Sequence, residues 1–263
     1  MVRLGGSASG PHLTAFQGLE KLFRAQGIDL DWVLYSDYDA MVDAFVAGEI
    51  DLAWNGPLGY VKIKRLLDTP CQVIAMRDVD VNFTTCFVTR PDSDILTVED
   101  LKGKRFAFAS RSSVESGLLA YHFLKETGIN PRDDLALFTF SEDRKSSGLT
   151  GEKGVIDCVL KNEFDAGSVA QRTLHAMSED GSLPQDTLRT FWTSPGYSHC
   201  CFTAQGDMDP GQYRMVEQAL LSVNYGDPLG KSILDGEACK AFVPGINEGW
   251  EALEKAAEEQ GLV

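Results

Sequence analysis

The chain has 263 residues, 43% of them hydrophobic, enough for one large or two medium domains with a proper core and too apolar for general disorder. Thirty-nine Asp and Glu stand against 24 Lys and Arg, a formal charge of -15, which repels nucleic-acid phosphate and anionic membrane surfaces. A small anionic ligand survives that exclusion, because local N–H donors and side chains govern such a site.

In chain order, short apolar runs alternate with amphipathic segments, the pattern of an α/β sheet. Residues 2–4 read as a first strand. The loop Gly6-Ser7-Ala8-Ser9-Gly10-Pro11 follows, with Pro11 suited to the first turn of a helix whose Leu13, Phe16, Leu19, Leu22 and Phe23 share a face. Residues 32–35 read as strand, Met41, Val42, Phe45 and Val46 as a short helix, and 51–54 as a strand stopping at Asn55-Gly56-Pro57. Residues 72–76 and 83–89 complete a first block. At Pro91 the texture changes: a turn, then a Thr97-to-Asp100 capping box, then strand 105–109, a Ser-rich turn, and a helix through Leu118, Leu119, His122 and Phe123. Residues 135–140 read as strand, 141–151 as a long loop, Val155, Ile156, Val159 and Leu160 as a helix, 165–169 as a buried strand and 188–192 as a returning one. Helices over 210–223 and 248–259 close the chain.

The restart near 90 and the return near 195 predict an α/β second lobe, residues 90–196, inserted into a first lobe made of 1–89 plus 197–263, the two joined by a two-segment hinge. Lobes of this kind hold ligands at the carboxyl ends of their strands, where helix N-termini also point. Three strand-to-helix turns offer that chemistry: the Ser7 loop, Asn55-Gly56-Pro57, and Ser110-Arg-Ser-Ser113 with Ser116 a turn later. Unpaired N–H groups and hydroxyls at such turns receive oxyanions without a lysine, although Ser, Asn and Gly-Pro are also ordinary helix caps.

The segment Tyr35-Ser-Asp-Tyr-Asp-Ala-Met-Val-Asp-Ala-Phe-Val-Ala-Gly-Glu-Ile-Asp-Leu-Ala-Trp-Asn-Gly-Pro-Leu-Gly-Tyr60 resembles the PhnD-like family of phosphate, phosphite and phosphonate substrate-binding proteins. So do Leu101-Lys-Gly-Lys-Arg-Phe-Ala-Phe with its downstream serines, the Phe-Asp-Ala-Gly-Ser-Val strand after Val159, and the Pro244-Gly-Ile-Asn-Glu-Gly-Trp stretch. The resemblance implies a type II periplasmic-binding-protein fold, each lobe a mixed sheet flanked by helices. It also implies a monomeric protein that closes on a small oxyanion and presents it to an ABC permease or a sensor partner. By position it carries ligand contacts to Tyr38, to Asn55 with Gly56, and to Ser112, Ser113 and Ser116.

This chain departs from the family where Ser112-Ser-Val-Glu-Ser-Gly117 replaces a compact "STSG" turn and adds Glu115, which repels a dianion. A family histidine gives way to the loop Arg144-Lys-Ser-Ser-Gly148, making Lys145 a candidate anion partner. Asp165 is a candidate for an aminophosphonate ammonium or a strand-end cap, and Arg77 a candidate cleft cation or a surface ion pair. His199-Cys200-Cys201 reads as core, as a ligand contact by His199, or as a thiol site. On a strand, His199 and Cys201 would share a face.

Two other readings follow from that triplet: an enzyme on the same fold using a Cys or His in the cleft, or a thiol-dependent sensor of an arsenite-type metalloid. No motif for a metal, nucleotide or other cofactor is present. Cys71, Cys86, Cys158, Cys200, Cys201 and Cys239 contain no C-x-x-C pair and predict reduced thiols. The resemblance implies a periplasmic or otherwise extracytoplasmic location. The opening Met-Val-Arg-Leu-Gly-Gly has no signal-peptide h-region, which leaves a removed leader or a cytoplasmic protein as the expectations.

Overall fold

Strand β1 (Val2–Ser7) runs with every residue from Leu4 to Gly6 buried. A side chain at Gly6 would fall 2.6 Å from the Phe16 ring, so glycine there lets helix α1 (Gly10–Ala25) lie close on the strand. Ser9 caps α1 by accepting the His12 N–H at 3.1 Å, and Pro11 occupies the first turn. The computed structural model describes residues 1–144 and 149–263. The chain continues through β2 (Leu30–Tyr35), α2 (Tyr38–Val46), β3 (Leu52–Asn55), α3 (Pro57–Leu66) and β4 (Gln72–Arg77). It then enters β5 (Thr85–Thr89), β6 (Arg105–Ala107), α4 (Leu119–Glu126), α5 (Pro131–Asp134), β7 (Leu137–Thr139), α6 (Gly151–Leu160), β8 (Ala166–Ala170), α7 (Gln171–Glu179) and β9 (Arg189–Thr193). β10 (Cys201–Ala204), α8 (Pro210–Leu221), α9 (Pro228–Gly236), β11 (Phe242–Pro244) and α10 (Glu251–Glu259) complete it.

Among the described residues the strands form two mixed sheets, ordered β11-β4-β10-β3-β1-β2 and β7-β6-β8-β5-β9. They belong to two units: residues 1–82 with 198–251, and residues 83–197 with 252–262. These boundaries differ from the expected ones. β5, expected in the first lobe, pairs antiparallel with both β8 and β9, and this ladder assigns it to the second sheet. Residues 252–262 also join the second unit, where Glu259 accepts from Lys125 at 3.1 Å and lies 3.2 Å from His122. Apart from the terminal Val263, which falls with the first unit, the chain passes between units at 82/83, 197/198 and 251/252, where two passages were expected.

In the first sheet β1 runs parallel to β2 and β3, while β10 is antiparallel to β3 and β4. The register sets Cys201 opposite Asn55 and Met76, and Phe242 opposite Arg77. The segments leading into β10 and β11 thus reach the same edge as the carboxyl ends of β1, β3 and β4. Phe16, Leu19, Phe23, Trp54, Ile74, Phe202 and Val216 pack the core on this sheet.

In the second sheet β7, β6 and β8 are parallel, and Thr85 of β5 stands opposite Ala170, the carboxyl end of β8. A π-helical turn, Val114–Leu118, leads into α4. A side chain at Gly117 would come 2.1 Å from the Ser110 carbonyl oxygen, so only glycine fits the turn. The capping box appears as expected, with Asp100 taking the Thr97 N–H at 2.9 Å, although the turn it starts is a single 3₁₀ turn. No helix among the described residues is long and apolar enough to cross a membrane.

Phe106 is fully buried, edge-on to Phe87 at 5.3 Å and 4.9 Å from Phe108. Phe106→Ala removes that packing and leaves a cavity, so we expect a loss of about 3–5 kcal/mol, measured as a lowered urea midpoint of the second unit followed by Trp192 fluorescence.

Candidate functional site

At the carboxyl edge of the first sheet, the ends of β1, β3 and β4 and the start of α2 gather Ser7, Tyr38, Asn55, Gly56 and Arg77. Tyr38 begins α2, whose cap is Asp37 accepting the Ala40 N–H at 2.8 Å. Its ring lies against Gly56, where an added Cβ would sit 3.4 Å from the phenol carbon. Its surface is 44% exposed, yet burial of the phenol end pushes its pKa up while a hydrogen bond with Ser7 pulls it down. Ser7 also offers its carbonyl to His12 Nδ1 at 2.8 Å, which requires a proton on that nitrogen.

Asn55 is buried, with its amide donating to Thr203 Oγ1 at 2.7 Å and to the Ala53 carbonyl at 3.3 Å, and its Oδ1 lacks a partner among the described residues. Gly56 caps α3 without a side chain, and the Pro57 that follows has no N–H to offer. The first free amides of α3 are therefore those of Leu58 and Gly59.

Arg77 is engaged within the protein. Its Nε and Nη2 donate to the two oxygens of Asp80 at 2.5 and 2.9 Å, and Nη1 donates to the Glu237 carbonyl at 2.8 Å. The guanidinium also lies 5.3 Å above Trp54. Asp80 is wholly buried and accepts from His199 Nδ1 at 3.0 Å. Burial pushes its carboxyl up, but His199 and Arg77 outweigh that and hold it below the ordinary Asp range.

His199 and Cys200 precede β10 rather than lying on it, so the strand alternation expected to put His199 and Cys201 on one face does not apply. The sulfur beside His199 is Cys200, 3.2 Å from Nδ1. Asp80, His199 and Cys200 bring three donor atoms within 4.8 Å. Arg77 claims both Asp80 oxygens, and a cation placed there would face the guanidinium. The cluster's chemistry disfavours a metal ion. Burial pushes the Cys201 thiol well up, with Thr203 pulling the other way, and raises the Cys86 thiol as well, so both favour the neutral, unreactive form.

Below this network is a residue the sequence reading missed. Glu237, at the end of α9, is buried, and among the described residues neither carboxylate oxygen has a hydrogen-bond partner. His12 Nε2 lies 3.9 Å from its Oε2. Burial pushes its pKa up.

In the second unit, Ser112 is exposed and 2.7 Å from Ser110, and Ser113 caps the π-turn by accepting the Ser116 N–H at 3.3 Å. Ser116 is buried and donates to Glu152. Thr85 and Ser168 hold the turn from below by donating to the Glu115 and Ser116 carbonyls, both at 2.7 Å. Glu152, which the sequence reading did not single out, lies in the first turn of α6, where a carboxylate suits the helix dipole. Thr150-Gly-Glu152 ahead of an apolar run was the available signal.

Of the two roles expected for it, Asp165 makes the contacts of the strand-end cap. It precedes β8, at the end opposite Ala170, where it accepts the Arg105 backbone N–H at 2.8 Å and pairs with the Arg105 guanidinium at 2.7 and 3.0 Å. It caps the strand entry and is remote from the carboxyl edge. Lys145 lies outside the described residues.

The architecture is the type II periplasmic-binding-protein fold, two mixed sheets each flanked by helices. The family of ABC-transporter phosphonate periplasmic substrate-binding proteins matches residues 16–250, and the chain belongs to it. A Prochlorococcus marinus protein named probable ABC transporter phosphite binding protein PhnD1 is 25% identical over 248 residues, 90% of this chain and 80% of that protein. The phosphate-import protein PhnD of Mycolicibacterium smegmatis is 26% identical over 73% of this chain and 61% of its own length. The structure of Prochlorococcus marinus PhnD1 in complex with methylphosphonate superposes with a TM-score of 0.72 at 22% identity, over 100% of this chain and 98% of that one.

Two outcomes follow. Asp80→Asn strands a buried guanidinium and should cost about 3–5 kcal/mol, read as a fall in melting temperature at neutral pH. Because the Asp80 pKa is depressed by folding, the stabilisation is present above the ordinary Asp value of about 3.9 and is lost as pH falls below it. The gap between wild type and variant should therefore close in acid. Glu237 has the opposite sign: a raised carboxyl pKa removes stability as pH rises from about 4.3. Glu237→Gln should melt above wild type at pH 7, with a smaller difference at pH 4. An equal or larger difference at pH 4 would contradict the assignment.

Proposed function

We propose that the chain binds a small phosphorus oxyanion, of the phosphate, phosphite or phosphonate class, in the periplasm and delivers it to an ABC permease. It acts by binding rather than by chemistry. The observation that carries this reading is the carboxyl edge of the first unit. There the phenol of Tyr38, the hydroxyl of Ser7 and the first amides of α3 are neutral donors, beside an Arg77 whose charge Asp80 already balances. Neutral, oriented donors suit a ligand that keeps its own charge. Family membership and the phosphorus-oxyanion names of its relatives support the ligand class.

Among the site residues, Ser7, Tyr38, Asn55 and Gly56 are proposed as the first unit's ligand contacts, with His199 and Arg77 as their electrostatic support. Ser112 and Ser113 are proposed as the second unit's contribution; Ser116, expected as a contact, is buried and its hydroxyl donates to Glu152. A ligand that binds the folded state raises its melting temperature by mass action. Phosphate, phosphite or methylphosphonate should therefore shift the melt. Tyr38→Phe should weaken binding by about 1–3 kcal/mol in calorimetry, with an unchanged melting temperature of the free protein. No heat and no melting shift with any of the three anions would sink the assignment.

A further inference from the structure

Within the second unit, the carboxyl edge contains a recess of about 410 Å³ lined by Ser113, Glu115, Thr150, Glu152 and Thr173. Three donors converge on it, and one group holds all three. The Ser116 hydroxyl and the Ala170 N–H donate to Glu152 Oε1, the latter at 2.6 Å, and the Thr173 hydroxyl donates to Oε2. A carboxylate is itself a small oxyanion, so the chain's own side chain occupies the cradle that the serine-rich turn was expected to offer.

The chemical consequence depends on what faces Glu152. An ionised carboxylate only accepts hydrogen bonds, so a ligand oxygen that carries a proton can donate to the lone pair left on Oε2. A fully ionised oxygen meets like charge with no proton between them. Burial and Glu115 both push the Glu152 carboxyl up, and Tyr197, Cys86 and Lys153 are the other titratable groups near it.

We propose that Glu152 is a specificity-determining residue, which reserves the donors of the second unit and admits oxyanions that present a proton toward it over those that carry none. This deepens the proposed function and rests on it. Monoprotonated phosphite, phosphate and phosphonate fit the rule. Sulfate, which carries no proton near neutral pH, does not.

Glu152→Gln tests this with little disturbance. The amide oxygen can accept from Ser116 and Ala170, and the amide NH₂ faces Thr173, whose hydroxyl can turn to accept. Calorimetry of wild type and variant with methylphosphonate and with sulfate, at one pH where methylphosphonate is mostly monoprotonated, gives a selectivity ratio for each protein. We expect wild type to favour methylphosphonate and the variant to lower that ratio by about tenfold or more. Glu152→Ala, which frees all three donors, should move it the same way and serves if the glutamine variant does not fold by circular dichroism. An unchanged ratio, or a wild-type preference for sulfate, overturns the role of Glu152 while leaving oxyanion binding intact. Absence of binding to either anion overturns this inference, and the proposed function falls with it only if phosphate and phosphite also fail to bind.

Discussion

The bidentate pair of Arg77 with Asp80 is the constraint on which the first unit's functional edge depends. It places a full positive charge at the end of a central strand and balances it in place, with His199 completing the second oxygen of the carboxylate. Through its third nitrogen the same guanidinium fixes the Glu237 carbonyl, five residues before β11. One side chain thus ties together the end of β4 and the approaches to β10 and β11. Breaking such a pair on one side is costly because the survivor remains buried and charged.

The two units treat charge differently. In the first, a cation is neutralised internally and the groups left at the edge are a phenol, a hydroxyl and amides. In the second, Glu152 accepts from two hydroxyls and one amide among the described residues, with Lys153 lining the same recess. A chain with a formal charge of -15 can still bind an anion, because what the ligand meets is this local arrangement and not the global sum.

Much of the fold was legible in the sequence because local signals and global structure agree. Pro11 and Ser9 start α1, Asp37 starts α2, and Thr97 with Asp100 forms the expected box. The Tyr35-to-Tyr60 segment carried the family, and the family carried the fold. Strand partnership was not legible. The run 83–89 is apolar whichever sheet it joins, and only its ladders with β8 and β9 decide. Helices α7 and α9, nine residues each, and the three-residue β11 are short elements that the sequence reading passed over. At the site, Tyr38, Asn55 and Ser116 were placed on helix starts and strand ends as the sequence suggested. For Asp165 the sequence left two roles open, because a residue beside a strand can lie at either end of the sheet, and the direction is a tertiary fact. Glu152 and Glu237 escaped notice because acidic residues are common in this chain, and their meaning comes only from the groups that fold around them.

The central claim is that the first unit recognises its anion with neutral donors while Arg77 stays committed to Asp80. A crystal structure with bound methylphosphonate tests it most directly. The account predicts a phosphonate oxygen within hydrogen-bond distance of the Tyr38 hydroxyl and the amides of α3, with both Arg77–Asp80 contacts intact. A guanidinium released from Asp80 and turned onto the phosphonate would contradict it.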